Sequence, residues 1–306
     1  YFLVASASVA ASILICISTI HFLTHSENTN LDFQAIAEQM DSQSVEEVTL
    51  ITAKEQLNLD EDAFVTYSKE GKVAVNSKVI REKEEKKVKG EPEYNQLLVP
   101  AGKRVRVELS DGTRLVVNSQ SKVIYPCRFN GDIRKIYAQG EVFLEVAHDK
   151  QHPFIVESED FKLRVLGTKF NVDAYPETEK FETTLMHGSV KVTLKADSSQ
   201  TVILKPDHKL SLEKGRFVMT KVEDYNPYRW KEGLICFSDE SFPNIMKDFE
   251  KYYGVKIVIE NKNVLQINFT GKFRQTDGID YALRILQKNI DFQYEKDNEK
   301  QIIYIK

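Results

Sequence analysis

From Leu97 to Met219 the chain alternates apolar and polar residues in short runs roughly ten residues apart, with no helical period between them. KRVRVEL leads through SDGT into RLVVN. KIYAQG, EVFLEVA, PFIVES, FKLRVLG, KFNVDAY, KFETTLM, SVKVTLK, TVILK, KLSLE and RFVMT continue the series. Strand side chains point to opposite faces in turn, so such runs bury a single apolar face only as strands. Many short strands at even spacing restrict the fold to a sandwich, a barrel or a solenoid. Charged residues at the intervening positions predict two sheets packed on one apolar layer. Asp111-Gly112, between two alternating runs, predicts a tight hairpin, since both residue types tolerate positive φ.

One run breaks the alternation. Apolar residues fall on odd numbers at Phe161, Leu163 and Val165, then on even numbers at Phe170, Val172 and Ala174. The parity changes at Gly167-Thr168, so an extra residue, a bulge or a corner belongs there. Glycine at that point lets the backbone bend or another segment approach closely. The pair marks either a corner of the fold or a site of chemistry.

Upstream, VEEVTLI, AFVTYS and KVAVN are further strand candidates, DFQAIAEQM is a short helix candidate, and residues 81–91 form a mixed charge run that reads as a solvated loop. The pattern changes again after about Tyr225. LICF reads as a strand, and Phe242, Ile245, Met246, Phe249 and Tyr253 then repeat at helical spacing up to Gly254, a C-terminal cap. KIVIE follows as a strand. The unit recurs as INFTGKF, a helix from Asp277 to Lys288 with Ile279, Ala282, Leu283 and Leu286 on one face, and DFQYE; QIIYIK closes the chain. Strand–helix–strand twice over predicts a small α+β domain. The Met and aromatic stripe of its first helix reads as core.

Residues 1–23 contain no Asp, Glu, Lys or Arg and are long enough to span a bilayer. A secretory leader would need a basic start and a small-residue cleavage site, and the run ends instead in HFLTHSEN. No Lys or Arg precedes Lys54, while Glu27, Asp32, Glu38, Asp41, Glu46 and Glu47 follow the run, so this flank reads as the outer side. Because the chain opens on Tyr1 inside or just before the run, further sequence is expected upstream. The expected organisation is a transmembrane helix at 1–23, a polar stalk at 24–44, a β domain at 45–222 and the α+β domain at 223–306. A net charge of −4 offers no general attraction to nucleic acid. Cys16, Cys127 and Cys236 have neither a disulfide framework nor metal-ligand spacing. Buried free thiols are the expectation, with a Cys127–Cys236 bridge as the alternative.

PAGKRVRVELSDGTRLVVNSQSKVIYP, GEVFLEVAHDKQHPFIV and VLGTKFNVDAY resemble FecR-type periplasmic domains of membrane-bound anti-sigma factors. Trp230-Lys231-Glu232-Gly233 is similar to the Trp-Lys-x-Gly linker motif of Bacteroidetes members, and the closing unit resembles the short N-terminal domain shared by secretins and TonB-dependent transporters. The resemblance implies a mainly β protein with an N-terminal spanning helix, a solenoid-like two-sheet FecR domain and the α+β module. It implies a single-pass inner-membrane protein with its C-terminal bulk in the periplasm. Such a protein relays a signal from the signalling domain of an outer-membrane TonB-dependent transporter to an extracytoplasmic-function sigma factor, controlling uptake genes for iron chelates or glycans. The sigma-binding segment would precede Tyr1. The resemblance also implies possible self-cleavage at Gly167-Thr168: the Thr168 hydroxyl attacks the Gly167 carbonyl, and water opens the resulting ester. His187 or Asp173 would accept the proton. No cofactor and no substrate turnover are implied.

A strand edge can add a partner's strand through main-chain hydrogen bonds. Lys256, Ile257, Val258 and Ile259, or Gln301, Ile302, Ile303, Tyr304 and Ile305, are therefore the candidate docking positions; alternatively both strands pair within their own sheet. His148 and His152 lie in a loop before Pro153, which argues against a metal site. Lys103, Arg104 and Arg106 could meet an anionic glycan or form a solvated sheet face. Glu141 and Glu145 sit opposite Val142, Leu144 and Val146, an ordinary outer-face placement that does not amount to a hydrolase's paired carboxylates. A periplasmic structural or assembly protein related to secretin modules is the alternative function.

Overall fold

In the computed structural model, residues 33–39, 45–81, 93–178, 181–297 and 300–306 are described. The apolar run at 1–23, Cys16, most of the stalk and residues 82–91 of the charge run lie outside them. Among the described residues no helix is long and apolar enough to cross a membrane.

The short helix expected in the stalk is α1 (Phe33–Gln39). It is not a free spacer: Phe33 and Ala37 are buried against Leu98, Ile124 and Tyr137 of the β domain. Lys122 Nζ donates to Ala37 O at 3.2 Å, tying the helix down.

Eighteen strands follow among the described residues. They are β1 (Val48–Ile51), β2 (Gln56–Leu59), β3 (Phe64–Tyr67), β4 (Val73–Val75), β5 (Lys78–Arg81), β6 (Tyr94–Val99), β7 (Val105–Glu108), β8 (Arg114–Val117) and β9 (Ser121–Pro126). Then come β10 (Arg134–Glu145), β11 (Phe154–Glu157), β12 (Phe161–Val165), β13 (Lys169–Ala174), β14 (Glu182–His187), β15 (Val190–Leu194), β16 (Thr201–Leu204), β17 (His208–Glu213) and β18 (Arg216–Lys221). They form two facing layers. One runs β2-β1-β6-β9-β10-β11-β12-β15-β16 and the other β5-β4-β3-β7-β8-β10-β13-β14-β17-β18. β10 belongs to both: its first half pairs with β9 and β11, its second with β8 and β13. From β11 onward the chain alternates hairpin by hairpin between the layers, so each turn of the winding buries its apolar face against the last. Leu50, Leu97, Val107, Tyr125, Phe154 and Phe170 are among the side chains sealed between them. Fully burying such a side chain contributes about 1.5–3 kcal/mol.

The Asp111-Gly112 hairpin forms between β7 and β8, but only Gly112 takes positive φ, at +84°. Asp111 instead turns its carboxylate onto Thr113 N at 3.0 Å and onto Arg134 Nη1 at 2.7 Å. Cys127 is buried, Cys236 is partly buried, and both thiols are free, so the alternative bridge is not formed.

The linker contains a 3₁₀ helix at Asn226–Glu232. The closing unit comprises β19 (Leu234–Ser241), α2 (Phe242–Tyr253), β20 (Lys256–Ile259), β21 (Asn268–Arg274), α3 (Ile279–Leu286), β22 (Tyr294–Asp297) and β23 (Ile302–Ile305). β19 and β21 form an antiparallel pair, while β20-β23-β22 form a second sheet. The two strand–helix–strand units thus interleave: their first strands pair directly, and their second strands flank β23. α2 buries Phe242, Ile245, Met246, Phe249 and Tyr252, and ends at Gly254 with φ +66°. α3 is shorter than its periodicity predicts: residues 275–277 form a 3₁₀ turn, and Gly278 caps the helix at φ +81°.

One expectation is corrected by this topology. Ile302, Ile303, Tyr304 and Ile305 form the central strand, pairing with β20 on one side and β22 on the other, and Gln301 lies in the turn before it. Its backbone is spent within its own sheet, so it presents no edge to a partner. Lys256, Ile257, Val258 and Ile259 do lie on an outer strand.

Candidate functional site

The outer surface of the second β layer is where the two cores meet. Inward residues of β10, Val142 and Leu144, join the β-domain core, whereas outward Phe143 is 2% exposed and joins the core of the α+β unit. Val116 of β8 and Met186 of β14 pack against the same core. Apolar residues on the solvent side of one sheet therefore become shared core once the second unit covers them.

Polar groups on this face are buried with Phe143 and must find partners. Glu141 accepts from Asn118 Nδ2 at 2.7 Å and Asn171 Nδ2 at 3.0 Å within the β domain, and from Lys251 Nζ of α2 at 2.7 Å across the junction. The Lys251 ammonium also lies 4.5 Å from the Tyr175 ring centre. Glu141, Asp173 and Glu182 are cross-strand neighbours on β10, β13 and β14, so three carboxylates stand in a row. Burial and the Glu141 charge push Asp173 up to about 7 against the pull of Lys251. Burial raises Asp248, on α2, to about 6. Lys251 is raised well above the ordinary ammonium range, burial opposing and Glu141 favouring its charge.

Arg104 makes the second tie. Its Nη2 donates to Asp62 at 2.6 Å and its Nε to the other Asp62 oxygen. Its Nη1 donates to the Trp230 carbonyl at 3.0 Å and to Gln275 Oε1 at 3.3 Å. Gln275 Nε2 in turn donates to Gly102 O and Tyr252 O. This explains the Trp-Lys-x-Gly motif. Trp230 is buried as an anchor. Gly233 has φ +77°, and a Cβ there would lie 2.7 Å from Arg104 Nη1. Lys231 places its ammonium 4.9 Å from the Phe143 ring centre. Beside Arg104, a cleft of about 1090 Å³ opens between the units, with Glu46, Glu61, Lys103, Gln120, Thr276 and Gln301 on its walls.

The structure distributes the other candidates differently. Gly167-Thr168 is the corner where the chain leaves β12 in one layer for β13 in the other. A Cβ at Gly167 would lie 2.4 Å from His148 Nδ1, so the close approach requires glycine. The Thr168 hydroxyl donates to Ser189 O at 3.1 Å. His187 pairs with Lys169, next to Thr168, while Asp173 lies about 16 Å along the strand. Neither makes a hydrogen bond to Thr168 among the described residues. His148 and His152 remain apart: His148 faces Gly167, and His152 Nδ1 sits 2.7 Å from Asp149 Oδ2. No cluster of three metal-ligating side chains occurs among the described residues. Arg104 is 8% exposed and fully engaged, which removes it as a glycan contact. Lys251, Asp248 and Gln275 were not legible as site residues, because only docking of the second unit gives them partners.

Residues 95–191 match the family described as FecR protein, and residues 234–304 match the family described as FecR, C-terminal. Together the matches cover more than half of the chain, including both sides of the junction. No curated protein matches. Two crystal structures of a proposed anti-sigma factor from Parabacteroides distasonis ATCC 8503 are similar, each with a TM-score of 0.58. They are 25% and 26% identical, and each alignment covers 69% of this chain and 98% of the other. The matched β layers, the matched closing unit and the solved neighbour agree, and the chain belongs to the FecR family of anti-sigma factors.

Proposed function

We propose that the chain relays a signal across the inner membrane, from the signalling domain of an outer-membrane TonB-dependent transporter to an extracytoplasmic-function sigma factor. In this reading residues 1–23 cross the membrane, the described units stand in the periplasm, and the sigma factor is held on the cytoplasmic side. The α+β unit receives the transporter and the β domain passes the event toward the membrane. Gly167-Thr168 serves as a corner, and no substrate is turned over.

The observation that carries this reading is the buried ionic junction. Glu141–Lys251 and the Arg104 hub couple the two units, so a partner that shifts the α+β unit must break or carry these bonds. Breaking one side of a buried pair costs about 3–5 kcal/mol, enough to transmit a displacement. Hydrogen exchange on the full chain, with and without the transporter's signalling domain, tests the docking step. Protection at Lys256–Ile259 is expected, and no protection anywhere in residues 224–306 counts against it. A sigma-dependent reporter that Lys251→Met or Gln275→Ala leaves unchanged counts against the relay.

A further inference from the structure

The three-stranded sheet of the α+β unit has two outer edges, built differently. β22 carries Glu295, Lys296 and Asp297, with Lys296 paired to Asp280 at 2.5 Å and Glu295 paired to Lys306. Charged side chains on an edge discourage pairing. β20 reads Lys-Ile-Val-Ile and carries a single charge. Lys256 N–H donates to Gln301 O at 3.0 Å, so Lys256 and Val258 face β23, while Ile257 and Ile259 turn their N–H and C=O outward.

The outward N–H of Ile257 is already occupied. Glu250 Oε1, from the last turn of α2, accepts it at 2.6 Å. The chain thus supplies its own anionic acceptor to this edge. At the start of the strand, a cleft of about 440 Å³ is lined by Lys247, Lys251, Lys256 and Lys300 along with Glu250 and Gln301. Lys251 is committed to Glu141 and Lys300 to Asp297. Lys247 and Lys256 are exposed and form no ion pair among the described residues. In a chain of net charge −4, this is a local basic rim around an apolar strand edge.

We propose that β20 docks an extended acidic segment of a partner, and that Glu250 is the chain's own stopper for that edge. The incoming strand pairs with the outward groups of residues 257–259. One of its carbonyls takes the Ile257 N–H from Glu250, and its carboxylates settle between Lys247 and Lys256. The inference rests on the docking reading above, to which it adds the charge of the partner's strand and the device that guards the edge.

The test uses the full chain and two short labelled peptides, read by fluorescence anisotropy. Both alternate valine and threonine with a charged residue, glutamate in one and lysine in its twin. The glutamate peptide should bind at least about tenfold tighter, with the preference shrinking in high salt. Glu250→Ala should tighten it about tenfold, the scale of one charge-assisted hydrogen bond no longer displaced. Glu250→Gln, which keeps the packing, should tighten it less. Lys247→Glu with Lys256→Glu should reverse the preference. Ile259→Pro, which removes an outward N–H without touching a bond to β23, should abolish binding. Equal binding of the twins, unchanged affinity in Glu250→Ala or full binding by Ile259→Pro overturns the proposal. The transporter's signalling domain is a third probe. If it binds all variants equally, the edge assignment fails while the relay stands. If it does not bind but the peptides behave as expected, the relay fails and the edge assignment stands.

Discussion

Replacing Lys251 with methionine keeps most of the side chain's apolar bulk and removes the cation held by Glu141. The Glu141 side chain is 8% exposed and that of Lys251 is 20% exposed. Removing one partner of a buried pair costs about 3–5 kcal/mol. Glu141 keeps hydrogen bonds from Asn118 and Asn171, and Lys251 retains some water, so the expected loss at pH 8 is about 3 kcal/mol, the low end of that range. The loss depends on pH. Asp173 and Asp248 are raised to about 7 and about 6, chiefly by burial, and Lys251 pulls both down. A carboxyl whose folded pKa exceeds its unfolded value binds more protons when folded. Stability therefore falls as pH rises from about 4 through about 7, by up to about 1.4 kcal/mol per pH unit per group. Without Lys251 both carboxyls rise further, so the variant should lose more at pH 8 than at pH 5. Trp230, the only tryptophan, is buried at the junction and reports on it directly. Urea denaturation followed by its fluorescence at both pH values measures the loss. A change below about 1 kcal/mol at pH 8, or equal losses at the two pH values, would refute the assignment of this pair as the tie between the units.

Asp173→Asn removes a partly buried charge from the row of three carboxylates; it should stabilise the chain at pH 8 and flatten its stability between pH 5 and 8, read by the same denaturation. Gly233→Ala should cost about 2 kcal/mol, from a positive-φ position and from displacing Arg104, and should lower the melting temperature. Phe242→Ala, at a fully buried position in the second core, should cost about 3–5 kcal/mol in the same melt. Denaturing electrophoresis should give one full-length band from the native chain and from Thr168→Ala, as expected of a packed corner; fragments from the native chain alone would assign chemistry to that peptide.

Local patterns were legible where a residue's role depends on its neighbours in the chain. The parity change around Gly167 marked a true corner, because strand alternation is a property of consecutive residues. The stripe from Phe242 to Phe249 marked a core helix for the same reason, although Tyr252 rather than Tyr253 completes the buried face. The resemblance carried by Trp230 to Gly233 singled out the linker without saying what it holds. The docking assignment failed for QIIYIK because alternation does not distinguish a central strand from an edge one. Arg104 read as a surface cation and Glu141 as an outer-face acid, since nothing nearby in the chain is their partner.

The order of amino acids by itself determined the two kinds of module, the strands and helices within them and the face of each that is apolar. These follow from backbone geometry, which acts over a few residues. Only the tertiary structure decided that the outer face of β10 is interior, that Lys251 meets Glu141 from 110 positions away, and that β23 lies between its neighbours. Those facts depend on which surfaces exclude water together, and that is a property of the assembled chain.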